Sequence, residues 1–351
     1  MIGKSHGLRF LLIASGSLWG TFGLAGCSLT WHSHGPSDPT AIHGSFEAGK
    51  STTASKTFQK TYAAQKVKTL RVRDEMGAIE IKPIEDGKDE IRIEATKTVE
   101  DSSLSSSDLK KLLPNIKVVA HLDGDVLVIE ADHDKNGFPD SAGATVAFVI
   151  SVPKRLALDL RTDDSPITAT GSTGGVTLRT SNGAIELSQL GGAVDAETSN
   201  APISLKEAQA KAILKLVTSN GSITCEEIHA ASEALSVTLH TDNAPVQYAG
   251  DATTASLHSN NGEVTFAPTT FALTRADLQT ENAPITLTMP TALSATIDAR
   301  TSNGNVTLEG ISDPADRNSD GDHPTRHIVL NGGKAVITAH TSNEGIALES
   351  R

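Results

Sequence analysis

The sequence predicts an all-β chain, a β-solenoid of about nine units of ~20 residues preceded by a smaller β-rich section with one short helix. Three observations lead there. A phrase recurs along the second half, as RTSNGAIEL at 179–187 and ETSNAPISL at 197–205. Apolar residues stand at fixed offsets within each recurrence. Finally, aromatic content is only 3%, so the core must be built from Val, Ile, Leu and Ala.

Anchored on one turn residue, the units fall at Asp164, Asn182, Asn200, Asn220, Asn243, Asn261, Asn282, Asn303 and Asn343. Two positions before each anchor stands a threonine or serine, from Thr162 and Thr180 to Ser259 and Thr341. Three positions after it stands Ile or Val, from Ile167 to Ile346, and four before it stands Leu or Ala, from Leu160 to Ala339. Each unit is therefore two short strands of period two flanking a turn, with one apolar face. A single unit cannot bury that face, and stacking units on one another does. From Asp164 to Asn303 the corners alternate between Asn-Gly and Asn-Ala-Pro, with Asp-Ser-Pro first. Glycine permits positive φ, proline forces the residue before it to be extended, and asparagine tolerates the left-handed region and can bond along a stack. One unit per coil is the preferred reading.

Upstream of the repeats, short runs such as KTLRVRD, AIEIKP, EIRIEAT and ATVAFVISVP read as strands over 61–153, and SSLSSSDLKKLLPNI as a capped short helix. Residues 27–60, rich in Ser, Thr, Gly, Pro and His, read as a flexible tether. Residues 1–26 read as a signal peptide: Lys4 and Arg9 precede an apolar stretch that ends in Leu24-Ala25-Gly26-Cys27. This resembles a bacterial lipobox, which implies that Cys27 is lipidated and opens the mature chain. Ser28 rather than Asp after it favours the outer membrane where there are two. The repeats occupy 154–351, with an insertion at about 311–327.

The net charge of −12 argues against nucleic-acid binding. No metalloprotease, phosphate-loop or hydrolase motif is found, and Cys225, in a column shared with Leu187, Leu205 and Phe266, reads as an inert core thiol. Two loops have the oxygen spacing of calcium sites: Asp132, Asp134, Asn136 and Asp140, with Gly137 at the sixth position, and Asp316, Asn318, Asp320 and Asp322. Both lack an acidic twelfth ligand, since Gly143 and His327 stand there. An outward column three before the anchors, including Arg179, His240, His258 and Arg300, could bind an anionic glycan or, at the two histidines, a metal.

Val152-Pro153-Lys154 after an apolar strand, followed by units such as Thr180–Leu187 and Thr301–Leu308, resembles a bacterial envelope family of adhesin-like repeat proteins of unknown function. The resemblance covers about residues 60–351; it implies the solenoid fold and brings no catalytic residues or cofactor. The expected function is a non-enzymatic, lipid-anchored envelope protein that presents its surface to another envelope protein or a polysaccharide. A polysaccharide-active β-helix enzyme and an accessory regulator of a membrane sensor are the alternatives. The last unit, HTSNEGIALESR, is expected to form an uncapped end, covered by a partner, a second copy or the 313–327 insertion.

Overall fold

The computed structural model describes residues 51–84, 87–133, 137–269, 272–311 and 324–351. It also describes two short strands, Cys27–Leu29 and Phe46–Ala48, which pair with each other antiparallel. The signal peptide expected over 1–26, the loop residues Asp134 and Asn136, and all four ligands of the second candidate loop lie outside the described residues.

Every described strand from Thr52 onward belongs to one sheet of 24 strands. The repeats stack one unit per layer, in parallel and in register. Leu160 lies beside Leu178, which lies beside Ala196. Across the corner, Ile167, Ile185 and Ile203 form the matching row. Inward residues alternate with outward ones, as in Ile167–Thr170, where Ile167 and Ala169 are buried. The result is one continuous core from Ala54 to Leu348. Each fully buried Val, Leu or Ile in such a row contributes about 1.5–3 kcal/mol.

The corners are held by two ladders. On the outside, each asparagine donates its side-chain N–H to the carbonyl of the one before: Asn200 to Asn182 at 2.6 Å, Asn220 to Asn200 at 2.8 Å, and Asn243 to Asn220 at 2.7 Å. Asp164 begins the ladder as a pure acceptor, for Asn182. On the inside, the hydroxyl two residues earlier is buried and donates to a backbone carbonyl of the preceding layer, Thr198 to Gly183 at 3.0 Å and Thr218 to Ala201 at 3.1 Å.

The corner glycines do something other than expected. Gly183, Gly221, Gly262 and Gly304 are not among the residues with positive φ, and neither are the anchor asparagines. A Cβ on Gly221 would lie 1.8 Å from the Ala201 carbonyl, and one on Gly183 would lie 1.8 Å from that of Ser165. Glycine is needed because the layer before presses a carbonyl into that space. Positive φ is used at a second corner, seven residues after the anchor, by Gly171, Gln189, Glu207, Glu227 and Gly310. The non-glycine members cost roughly 1 kcal/mol each.

The stack is longer than the repeats. Thr69–Arg73 and Ile79–Pro83 pair with Ala157–Arg161 and Ile167–Thr170, adding a layer. Val126–His133 and Gly143–Val152 add another beyond it. With nine anchored units this makes eleven layers, about 50 Å at ~4.8 Å per layer. Chain order and stack order differ at both ends. The first layer in sequence, 69–83, is second in the stack. At the other end Ala335–Thr341 and Ile346–Ser350 insert between the Asn282 and Asn303 layers. The asparagine ladder follows the stack: Asn343 donates to Asn282 at 2.6 Å and Asn303 to Asn343 at 2.8 Å.

The ends carry antiparallel strands. Ile116–Asp123 lies on Val126–His133, Glu90–Asp101 on Gly143–Val152, and Thr52–Ala63 on Glu90–Asp101. Residues 52–60, read with the tether in the sequence, thus lie in a strand. The expected helix is Ser106–Leu112, capped by Ser105 accepting from Asp108, with Leu109 buried. Tyr62 closes this end by donating to the Ala120 carbonyl at 2.7 Å. At the far end Thr325–Leu330, from the insertion region, pairs with Ala295–Thr301 and buries Ile328. The last unit in sequence is therefore not the exposed end; the Asn303 unit is, and this strand covers its first half.

Two outcomes follow. Gly221→Ala should cost about 3 kcal/mol, because its Cβ overlaps a backbone oxygen, whereas Gly175→Ala, whose Cβ meets nothing nearer than 3.9 Å, should be nearly neutral in urea unfolding. In hydrogen exchange, the amides of Ile346–Ser350 should be as slow as those of Ile285–Met289, although they end the chain. Fast exchange there would contradict the inserted layer.

Candidate functional site

The outward column on the first strands can be followed layer by layer. In stack order it reads Glu130, Arg73, Arg161, Arg179, Glu197, Val217, His240, His258, Gln279, His340 and Arg300. Arg179 is three layers from His240, and Arg300 three from His258, so about 14 Å separates each pair. The four sequence candidates therefore do not form one site. Only the histidines adjoin.

Arg179 is spent on the scaffold. It donates to the Leu178 carbonyl at 2.8 Å, to the Asp195 carboxylate at 2.8 Å, and meets Glu197 at 3.2 Å. Arg73 likewise donates to both oxygens of Asp159 at 2.7 Å, and Arg71 joins at 2.8 Å. Partial burial pushes the Asp159 carboxyl up, but the two guanidiniums outweigh this and hold it below the usual carboxylate range. Such pairs neutralise the arginine half of the face.

His240 and His258 meet edge to face, with ring centroids 4.9 Å apart. His240 Nε2 lies 3.5 Å from Asp242, and His258 Nε2 lies 3.0 Å from Asn260 Oδ1. Asn260 in turn donates to Asp242 at 3.2 Å. Among the described residues no group of three His, Cys, Asp or Glu side chains stands so as to hold a metal ion.

Of the first calcium candidate, Asp132 and Asp140 are described. Asp132 is the next-to-last residue of the strand Val126–His133, and Asp140 lies in the turn before Gly143–Val152. Gly137 does not have positive φ; a Cβ there would meet Asn115 Nδ2 at 2.7 Å, and Asn115 donates to its carbonyl at 2.7 Å. Cys225 is buried between Leu205 and Tyr248, and burial pushes its thiol far above the reactive range.

Two features escaped the sequence reading. The first is a shallow groove of about 530 Å³ with a floor of Ala157, Gly175 and Ala193, rimmed by Asp159, Asp195 and the exposed Ile213. Its cause is local, since small residues occur in three successive layers. The second is a cleft of about 500 Å³ at the junction of the first three layers, with Asp74 and His133 at its wall. Asp74 holds the column position that threonine takes elsewhere, as the register of Ile79 with Ile167 requires. Its side chain is fully buried; Oδ1 lies 3.1 Å from His133 Nε2 and accepts from Met76 N at 3.3 Å. Among the described residues, Asp74 Oδ2 and His133 Nδ1 are buried without a hydrogen-bond partner. Burial raises the Asp74 carboxyl above its ordinary value, against the opposing pull of His133.

No protein-family model matches the sequence, and no curated protein matches it either. Solved structures that the chain matches include a candidate cell adhesion protein from Clostridium sporogenes, 11% identical, with a TM-score of 0.19 over 85% of this chain and 100% of that one. A candidate adhesin from Bacteroides fragilis is 10% identical, with a TM-score of 0.32 over 84% of this chain and 97% of that one. Another, from Parabacteroides distasonis, is 11% identical, with a TM-score of 0.35 over the same shares.

The raised Asp74 carboxyl has a pH consequence. Between the unfolded value, near 3.8, and the higher folded value, the native chain binds the extra proton, so stability falls as pH rises through that window. Asp74→Asn should remove this descending component from urea midpoints measured between pH 4 and 7. A profile identical to the parent's would show that Asp74 does not titrate as its burial demands.

Proposed function

We propose that this chain is a non-enzymatic, lipid-anchored protein of the bacterial cell envelope, adhesin-like, that presents its solenoid faces to an envelope protein or polymer. The observation that carries this reading is the stack of eleven in-register layers, whose outward rows repeat at a constant spacing along about 50 Å. A flat, hydroxyl- and charge-bearing face of that length suits an extended partner. Thr168, Glu186, Ser204 and Thr224 line one side, and the groove over Ala157, Gly175 and Ala193 lets a ligand reach the backbone on the other. Leu24-Ala25-Gly26-Cys27 supports the anchor: lipid at Cys27 would hold the stack at a membrane surface through the residues before Thr52. In a two-membrane bacterium the outer membrane is the expected site.

Globomycin treatment of cells making the full chain should leave the unprocessed precursor accumulating; unchanged processing would remove lipidation at Cys27. A soluble version lacking residues 1–27 should co-sediment saturably with purified sacculi or intact cells. Repeating this with and without calcium, and with His240 and His258 both replaced by Ala, tests the two loops and the histidine pair. Absence of saturable binding to either target would overturn the presenting role.

A further inference from the structure

Four corners of the ladder are Asn-Gly pairs: 182–183, 220–221, 261–262 and 303–304. In this dipeptide the glycine amide nitrogen can attack the asparagine Cγ, because no side chain hinders its approach. The new N–Cγ bond closes a succinimide as the Cγ–Nδ2 bond breaks and ammonia leaves with the amide proton. Water then opens the ring to aspartate or isoaspartate. All four asparagines are exposed, so solvent would not prevent this.

The corner geometry does. In each case the attacking glycine N–H is already donated to the buried hydroxyl three residues earlier: Gly183 to Thr180 at 3.1 Å, Gly221 to Thr218 at 3.2 Å, Gly262 to Ser259 at 2.8 Å and Gly304 to Thr301 at 3.0 Å. The electrophile is restrained as well. Asn182, Asn220 and Asn261 each donate to the layer before and accept from the layer after. Asn303 differs. It donates to Asn343 at 2.8 Å, but no described residue donates to its Oδ1, because its layer is the last. Gly304 is also only half-buried, whereas the other three glycines are buried.

We propose that the threonine and serine hydroxyls of the inner ladder guard the corner asparagines against deamidation, and that Asn303 is the corner where this modification occurs first. The ladder itself shows what is protected. A carboxylate can accept but not donate, so aspartate fits only at the acceptor end, where Asp164 stands. Converted to aspartate, an internal asparagine would lose its donated bond and place a charge between two neighbours. At Asn303 the same change loses one bond, in the last layer of the described stack.

The test is peptide mapping by mass spectrometry of the full chain aged at mildly alkaline pH, native and in urea, scoring the four corner peptides. Asn136-Gly137 and Asn331-Gly332, which are not anchor pairs in the sequence, are followed separately. In the native chain Asn303 should deamidate fastest of the four corners, and the other three should be slower than in urea. Thr218→Val should raise the rate at Asn220 about threefold to tenfold, the worth of one hydrogen bond, and leave the other corners unchanged. Thr218→Ser, which restores the hydroxyl, should return the parent rate. Equal native rates at all four corners, internal corners as fast as in urea, or a Thr218→Val chain with no rise or an equal rise everywhere would each overturn the proposal.

Discussion

The closeness with which one corner sits on the next governs the rest of this molecule. In three of the four Ser-Pro or Ala-Pro layers a carbonyl occupies the volume where a Cβ of the next layer would lie, within about 2 Å of the ideal atom position at Gly183, Gly221 and Gly262; the fourth, at Asn282, is followed in the stack by Glu344. That contact dictates glycine in alternate layers, and it brings the buried hydroxyl within reach of carbonyls in the layer before. Because every corner is pinned at the same depth, the strands leaving it meet in the same register, and Leu falls on Leu and Ile on Ile without slippage. The hydrophobic rows supply most of the stabilisation, but they would tolerate a two-residue shift. The corner does not.

Termination is a separate problem, because a parallel stack ends in unpaired backbone groups. Here both ends turn to antiparallel strands, with a helix closing one of them. Each end also places a later or earlier segment of chain outside the layer that sequence order would put there. The layer formed by the last residues lies between two others, so its removal would expose two faces of the stack instead of trimming one. The chain terminus is held accordingly, with Arg351 N donating to the Met289 carbonyl at 3.0 Å.

How much of this could be read from the residues depended on whether a position was constrained by type. The anchors, the buried hydroxyls and the apolar rows were legible because each admits few residues. The two added layers were not: Met76 stands where an asparagine would mark a corner, and Asp74 where a threonine would. The second corner left no signal, since its left-handed residues are Gln189, Glu207 and Glu227 as well as glycines, a cost the chain bears without a shared side-chain type. Layer order at the C-terminal end was beyond pattern reading altogether. The rows of the Asn303 and Asn343 units are interchangeable in kind, and among the described residues the crossing strand Thr325–Leu330 marks the Asn303 unit as the outer one. The glycine role was misassigned because φ and crowding both select glycine, and sequence alone does not separate them.

The same regularity explains why the fold was easier to read than the site. Inward and corner positions are shared by every layer, so they repeat and announce themselves. Outward positions are free to vary, because changing Arg179 or His258 alters no row of the core. Chemical individuality therefore collects where the repetition is broken. Three small residues in succession open the groove, two histidines in succession bring their rings to 4.9 Å, and one aspartate in the threonine column creates a buried carboxylate beside His133. Arginines in the regular part of the face are consumed by Asp159 and Asp195 and serve the scaffold. The groove and the histidine pair are the breaks that reach the surface, whereas the Asp74 carboxylate is enclosed and acts on the stack itself.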